Sequence, residues 1–229
     1  MRDEPKDIFT DASFAEGYGQ AMYGAGLTGY VIRHSHELLE TFLPAVGSMD
    51  MVVEVGAGSG HVSYLRHNFR EYTLTDASAE MLKHAQSACS DARVKSAVAT
   101  AEKLPFADHA FDRLIACHVL EHLYRPHEAL REWNRVVRPG GVISLVLPCD
   151  PGLAWRTGRR ISSTRRLTLQ KGLPYDYVMA REHVNPIGNL VALIRYHFET
   201  IRERWWPLRI PSTDLNLFYA VHIITAAPG

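Results

Sequence analysis

Residues 51 to 61 read "MVVEVGAGSGH", an apolar run that breaks into a glycine-rich turn, with Glu54 two positions before the first glycine. The run predicts a buried strand, and Gly56, Gly58 and Gly60 predict a turn whose backbone can approach a ligand closely. Three kinds of ligand compete for such a turn. A Walker loop needs GxxxxGK[ST], and no lysine stands here. A dinucleotide fingerprint GxGxxG starts with Gly56 and Gly58, but its third glycine falls on His61, and Glu54 would set a carboxylate beside the pyrophosphate. A ligand carrying a positive group at that point is favoured instead.

Outward from the turn, short apolar runs alternate with helical periodicity. "EYTLTD" (71–76) predicts a second strand ending on Asp76, and "RVKSAVA" (93–99), "DRLIACH" (112–118) and "VISLVLP" (142–148) predict three more. Val62, Leu65 and Phe69 predict a helix after the turn, and Met81, Leu82, Ala85 and Cys89 another. "RPHEALREWNRVVRPGG" carries Pro126 at a helix start, an apolar stripe of Leu130, Trp133 and Val137, and a Pro-Gly-Gly stop. Alternating strands and helices imply a parallel α/β sheet.

Beyond residue 150 the rhythm changes. Residues 151 to 175 hold Arg156, Arg159, Arg160, Arg165, Arg166 and Lys171 with no acid. Asn185 and Pro186 predict a capped helix start, followed by Ile187, Leu190, Val191, Ile194 and Phe198 on one face. "TIRERWW" and "LFYAVHIIT" predict two strands joined by a proline-containing loop, an antiparallel pair because no crossover helix separates them. The expected organisation is a helical lid over residues 1–43 and a sheet domain over 44–229, with a basic, helical insertion at about 151–185.

Composition narrows the class. The 229 residues are 46% hydrophobic and 22% charged, enough for a core without disulfide support. Lys+Arg and Asp+Glu balance at 25 each, so no global field attracts nucleic acid or an anionic membrane. Cys89, Cys117 and Cys149 have no metal spacing; free thiols in a reducing compartment and no metal are expected. The start lacks an apolar signal segment and no run is long enough to span a membrane, so a cytoplasmic protein is expected.

The pattern ExGxGxG with Asp76 twenty residues after Gly56 resembles motif I of the class I S-adenosylmethionine-dependent methyltransferases. "AEKLPFADHAFDRLIACHVLEHL" is similar to the blocks that follow in that family, and "RPGG" to its helix stop before strand five. The resemblance covers about residues 50–148. It implies a Rossmann-like α/β fold with a seven-stranded, mostly parallel sheet, helices on both faces and an antiparallel C-terminal hairpin. It also implies S-adenosylmethionine as cofactor, with Glu54, Gly56, Ala57 and Gly58 at the turn. Asp76 and Ala77 would lie at the ribose, Ala101 and Glu102 beside the adenine, and Cys117 near the amino-acid end. The family's acid before the "AE" pair is Thr100 here.

The tyrosine- and glycine-rich "EGYGQAMYG" suits a cover in which Tyr18 and Tyr23 face a cation, although the same tyrosines could pack the first helix onto the sheet. Arg33 could pair the cofactor's carboxylate. Base candidates cluster after strand four, at His118, Glu121 and His122, and later at Tyr175, Tyr177, Glu182, His183 and Asn185; Tyr175, His183, Asn185 and His118 are the expected catalytic set. Trp155 beside Arg156 allows a membrane-edge or stacking role. A small-molecule acceptor without nucleic acid is expected, with monomer or homodimer open. Three rivals stand beside methyl transfer: a cyclase that closes the aminobutyrate chain of S-adenosylmethionine and releases methylthioadenosine, a non-catalytic subunit that binds the cofactor, and a nicotinamide oxidoreductase.

Overall fold

The computed structural model describes residues 23–226 apart from 59, 88, 171 and 173. Seven strands form one sheet in the order β3-β2-β1-β4-β5-β7-β6. They are β1 (Met51–Val55), β2 (Glu71–Asp76), β3 (Val94–Val98), β4 (Phe111–Cys117), β5 (Val137–Pro148), β6 (Ile201–Trp206) and β7 (Phe218–Ile224). β1 to β5 pair in parallel, and β7 inserts antiparallel between β5 and β6, as the sequence predicts for the terminal hairpin. The expected Rossmann-like sheet is therefore present.

Period-two alternation along the strands sorts side chains onto two faces. Val53, Leu114, Ile143, Leu145 and Tyr219 join one core, beneath α3 (Pro126–Val136) and α7 (Ile187–His197). Val52, Ile115, Val146 and Phe218 join the other, beneath α1 (Leu27–Glu40) and α2 (Ala79–Ser87). Pro126 occupies the first turn of α3, where its missing N–H is no loss. Trp133, fully buried in that helix, donates its indole N–H to the Ala101 carbonyl at 2.9 Å, so the turn after β3 is tied to α3. Truncating it to alanine would cost about 3–5 kcal/mol.

α1 contributes Ile32, Leu38 and Leu39 to the core, so the helical part of the expected lid is a packed wall; residues 14–22, Tyr18 among them, lie outside the described residues. Its buried face also carries Ser35, His36 and Glu40. Buried polar groups need partners, and theirs sit in the glycine turn and in β4. The insertion after β5 folds as α4 (Leu153–Ile161), α5 (Ser163–Gln170) and α6 (Tyr175–Glu182).

The helix expected from Val62, Leu65 and Phe69 is absent: a single 3-10 turn, Val62–Tyr64, ends at Leu65 with ψ 135°. The Arg66 N–H, which a helix would direct to Val62, is taken by Glu40 Oε2 at 3.3 Å. Asn185 does not cap α7. Pro186 is the N-cap and no side chain bonds there.

Candidate functional site

The glycine turn leaves β1 at the point where the strand order reverses, between β1 and β4, which is where open α/β sheets take their ligands. Gly56 has φ +66°, and a Cβ on it would stand 2.5 Å from Val119 Cγ2. Only glycine suits both the backbone angle and the space. The turn is closed by Ala57 N–H donating to Thr75 O at 2.9 Å, and Gly58 N–H to Asp76 Oδ2 at 3.2 Å. The other Asp76 oxygen accepts from Ser78 N–H at 2.9 Å, which fixes the carboxylate at the end of β2.

These residues line a cavity of about 510 Å³, together with Ala77, Met81, Glu54, Cys117 and Tyr23. Glu54 is buried; its Oε2 accepts from Tyr72 Oη at 2.6 Å and from His61 N–H at 2.9 Å. Burial raises its carboxyl to about 7 and the nearby Asp76 adds to the rise, against the two hydrogen bonds. Glu54 thus braces the turn from below as well as lining the cavity. Ala101 and Glu102 fall outside the lining, and the Arg33 guanidinium holds the Tyr23 and Gly24 carbonyls at 2.6 and 3.0 Å instead of reaching into the cavity.

A second, mainly apolar cavity of about 230 Å³ lies alongside. Val31 and Ile32 of α1, Trp155 and Ile161 of α4, and Tyr175 and Met179 of α6 form much of its wall. His183, just beyond α6, is its principal ionisable group besides Arg159. Rings separate the two cavities. His122 of the first and His183 of the second meet edge to face at 4.9 Å, and Phe218 stands 5.4 Å from His118 and 5.7 Å from Trp155.

His183 Nδ1 is 2.9 Å from Asp150 Oδ2, and Arg159, whose guanidinium lies over the Tyr175 ring, reaches the same oxygen at 3.2 Å. Burial alone would raise the Asp150 pKa; His183 and Arg159 overcome it and leave it low. An ionised Asp150 accepts the Nδ1 proton and leaves His183 Nε2 as the acceptor nitrogen. His118 lines the cofactor-side cavity, with Nε2 at 3.0 Å from Ser35 Oγ and Nδ1 at 3.7 Å from Glu121 Oε1. Burial would raise Glu121 too, yet the His118 bond and the neighbouring histidines hold it below its ordinary value.

Of the expected catalytic set, His118 faces the first cavity, while His183 and Tyr175 face the second. Asn185 is spent elsewhere: its Nδ2 donates to the Leu120 and Leu123 carbonyls, stapling the turn after β4 to the start of α7. Trp155 faces inward against Phe218 and His183, which removes the membrane-edge role. Sequence reading passed over Asp150, although an acid at the carboxyl end of β5 was a usable signal. It also passed over His36 and Glu40, whose helix reads as amphipathic. Among the described residues, His36, His61 and Cys117 bring potential ligand atoms within 4.8 Å of one another. No helix of these residues is long and apolar enough to cross a membrane.

A glycine turn that a Cβ would block, a fixed carboxylate at the end of β2 and a cavity joining them define a site for a nucleoside-bearing ligand at the switch point of the sheet. A methyltransferase-domain family model matches residues 53–145. The chain is 30% identical over 179 residues to the malonyl-[acyl-carrier protein] O-methyltransferase of Pectobacterium atrosepticum, covering 75% of this chain and 67% of that protein. It is 33% identical over 101 residues to a ubiquinone/menaquinone biosynthesis C-methyltransferase of Rickettsia felis, 39% of this chain and 41% of that one. The fold is similar to an S-adenosylmethionine-dependent methyltransferase of Thermotoga maritima (TM-score 0.65, 17% identity, covering 95% and 98% of the two chains). It is also similar to the phosphoethanolamine N-methyltransferase 2 of Haemonchus contortus in complex with S-adenosyl-L-methionine (TM-score 0.66, 13% identity, 96% and 58%). The chain belongs to the class I S-adenosylmethionine-dependent methyltransferases. Its cofactor is S-adenosylmethionine, and the open turn, the fixed Asp76 and the buried Glu54 fit that group.

Proposed function

We propose that the protein transfers a methyl group from S-adenosylmethionine to a small, largely apolar acceptor held in the cavity beneath α4 and α6. The observation that carries this reading is the apolar cavity itself, whose His183 ring meets His122 of the cofactor cavity edge to face at 4.9 Å. When bound, the cofactor supplies a methyl group already activated on a sulfonium. The chain's part is to orient, exclude water and hold a proton, and orientation alone can supply roughly 7–11 kcal/mol of a barrier. Asp76 would hold the ribose hydroxyls, and Gly56 and Gly58 would admit the cofactor backbone. Val31, Ile32, Trp155 and Met179 would keep the acceptor dry. His183, turned by Asp150 to present Nε2, would take the acceptor's proton, with Tyr175 beside it under Arg159.

The O- and C-methyltransferase relatives differ in acceptor, so the atom methylated rests on the cavity and its base alone. The absence of a metal or disulfide spacing among Cys89, Cys117 and Cys149 supports a reducing compartment, and the balanced charge supports a partner other than nucleic acid. Asp150→Asn is expected to lower kcat/KM by about 10²–10⁴, because the His183 Nδ1 proton loses its carboxylate acceptor. Product analysis with and without a metabolite extract tests the whole reading: S-adenosylhomocysteine formed only with extract supports it.

A second reading is favoured by one observation, that His118, His122 and Glu182 line the cofactor cavity itself. There S-adenosylmethionine would be the sole substrate, its amine closing onto its own chain with loss of methylthioadenosine and the proton passing to His118. Methylthioadenosine appearing without any acceptor would replace the first reading with this one.

A further inference from the structure

Three side chains from three elements converge at the wall of the cofactor cavity: His36 on α1, His61 at the end of the glycine turn and Cys117, the last residue of β4. His36 and His61 are 3% and 0% exposed, and Cys117 is 9% exposed. His61 Nδ1 lies 2.9 Å from His36 Nδ1 and 3.6 Å from Cys117 Sγ, and the three atoms fall within 4.8 Å of one another. His36 and Cys117 also line the cavity, so the cluster borders it.

Hydrogen bonds among these three groups leave protons and lone pairs mismatched. Arg113, buried on β4, binds Glu40 through Nη2 to Oε1 at 2.6 Å and Nη1 to Oε2 at 3.2 Å. Burial would raise the Glu40 pKa, but the bonds from His61 and Arg113 hold it far below the usual range, so Glu40 is a carboxylate and accepts. His61 Nε2, 3.1 Å from Glu40 Oε1, therefore carries its proton. Burial disfavours a charged His61 ring, which leaves its Nδ1 with a single lone pair. Two donors compete for that lone pair: the ring N–H of His36 and the thiol of Cys117, which burial keeps protonated.

A cation among the three atoms removes the mismatch, because each group then gives it a lone pair. We propose that His36 Nδ1, His61 Nδ1 and Cys117 Sγ bind a zinc ion, which ties α1 to the glycine turn and to β4 at the wall of the cofactor cavity. Two imidazoles and a thiolate are a donor set that suits zinc. Bonds of about 2.0–2.1 Å to nitrogen and about 2.3 Å to sulfur put N and S about 3.6 Å apart in a tetrahedral centre, as His61 and Cys117 already stand. Two nitrogens would stand about 3.3–3.4 Å apart, so the imidazoles, at 2.9 Å, part by about half an ångström. Coordination displaces the thiol proton to solvent and moves the His36 proton to Nε2, which lies 3.2 Å from Tyr23 Oη. Glu40 on His61 Nε2 supplies the carboxylate behind a metal-bound histidine that orients the ring and raises its basicity. The metal would also favour the ionised form of Glu54, whose charge Cys117 already feels, so a Glu54 carboxyl near 7 belongs to the zinc-free protein. The ligands stand 25 and 56 residues from His61, so no short spacing announces the site in the sequence.

X-ray absorption at the zinc edge tests the site without any variant. The unaltered protein, freed of metal with a chelator and given one equivalent of zinc, is expected to show one sulfur at about 2.3 Å and imidazole nitrogens at about 2.0–2.1 Å; a shell without sulfur overturns the proposal. Calorimetry on the same protein is expected to give one zinc per chain with a Kd of about 1 μM or tighter. Cys117→Ser and His36→Gln should each weaken zinc binding at least about a hundredfold, and Cys89→Ser should leave it within about twofold. With cobalt(II) in place of zinc, a thiolate charge-transfer band is expected in the unaltered protein and in Cys89→Ser but not in Cys117→Ser. Zinc should raise the Tm of the unaltered protein and leave that of Cys117→Ser unmoved. No zinc uptake at about 10 μM, undiminished affinity in Cys117→Ser, or a site lost with Cys89→Ser instead would each overturn the assignment.

Discussion

Affinity for S-adenosylmethionine should rise with pH between 6 and 7.5, and Glu54 should be the cause. Its carboxyl sits near 7 in the ligand-free protein because it is buried and close to Asp76, while Tyr72 and the His61 N–H stabilise its charge only in part. At pH 6 roughly one molecule in ten carries the ionised form, and at pH 7.5 roughly three in four. If the ammonium of the cofactor requires that charge, the apparent Kd falls about eightfold over this range, close to 1.2 kcal/mol. His36 and His61 are held neutral by burial and so add no opposing slope. The ligand's own amine, an α-amino group of ordinary pKa about 7.7–8, is roughly a quarter to two-fifths deprotonated by pH 7.5 and trims the observed fall to about fivefold or sixfold. Calorimetry at several pH values in two buffers of different ionisation enthalpy gives both the slope and the proton count, expected near 0.3–0.4 of a proton released at pH 7. Glu54→Gln should flatten the profile at the weak-binding end, and 5′-methylthioadenosine should show no slope in either protein. A flat wild-type profile, or a slope that survives in Glu54→Gln, refutes the assignment of Glu54 to the ammonium.

The same group sets a stability trend of opposite sense. Its folded pKa lies above the unfolded value near 4.3, so its favourable contribution is complete below about pH 4.3 and is lost as pH rises through 7. Ligand-free Glu54→Gln should therefore exceed wild type at pH 8 by roughly 3–4 kcal/mol in urea unfolding, with little difference at pH 4. Asp76→Ala should weaken cofactor binding at least about tenfold, since two ribose hydroxyls lose a charged acceptor; unchanged calorimetric affinity would contradict the motif. Gly56→Ala meets Val119 Cγ2 and a φ of +66°, so Val119→Ala should restore only part of its lost affinity and stability, the backbone strain of about 1–2 kcal/mol remaining. Arg113→Met should cost about 3–5 kcal/mol in the same unfolding assay by leaving buried Glu40 without its counter-charge, held by His61 and the Arg66 N–H, and Arg113→Met with Glu40→Gln distinctly less.

What could be read from the chain divides along the range of the interactions. Strand positions such as Val53, Leu114 and Ile143 carry local apolar patterns, and the sheet follows from them together with Pro126 and the terminal hairpin. The positions of Gly56 in the turn and Asp76 at the end of β2 were legible because backbone shape and strand ends set them. Asp150 became visible as a partner only when the insertion folded back and brought His183 to 2.9 Å, a contact between residues far apart in sequence. Asn185 was misread for the same reason. A capping residue and a staple look alike until the carbonyls of Leu120 and Leu123 are found beside it.

His61 shows how one residue can count against one reading and carry another. In the fingerprint for dinucleotides that place calls for glycine, which lets helix and strand pack closely. Here an imidazole fills the space, and it does so fully buried, between Glu40, His36 and Cys117. Glu40 can reach it only because α1 lies against this face, and once there its second oxygen also takes the Arg66 N–H. That bond competes with the helical bond to Val62, so the segment after the turn stays a single 3-10 turn. The missing helix, the missing glycine and the buried acid on α1 are thus one arrangement: a charge in the sheet, Arg113, drawn through Glu40 to the glycine turn and on to Tyr23 at the cofactor cavity.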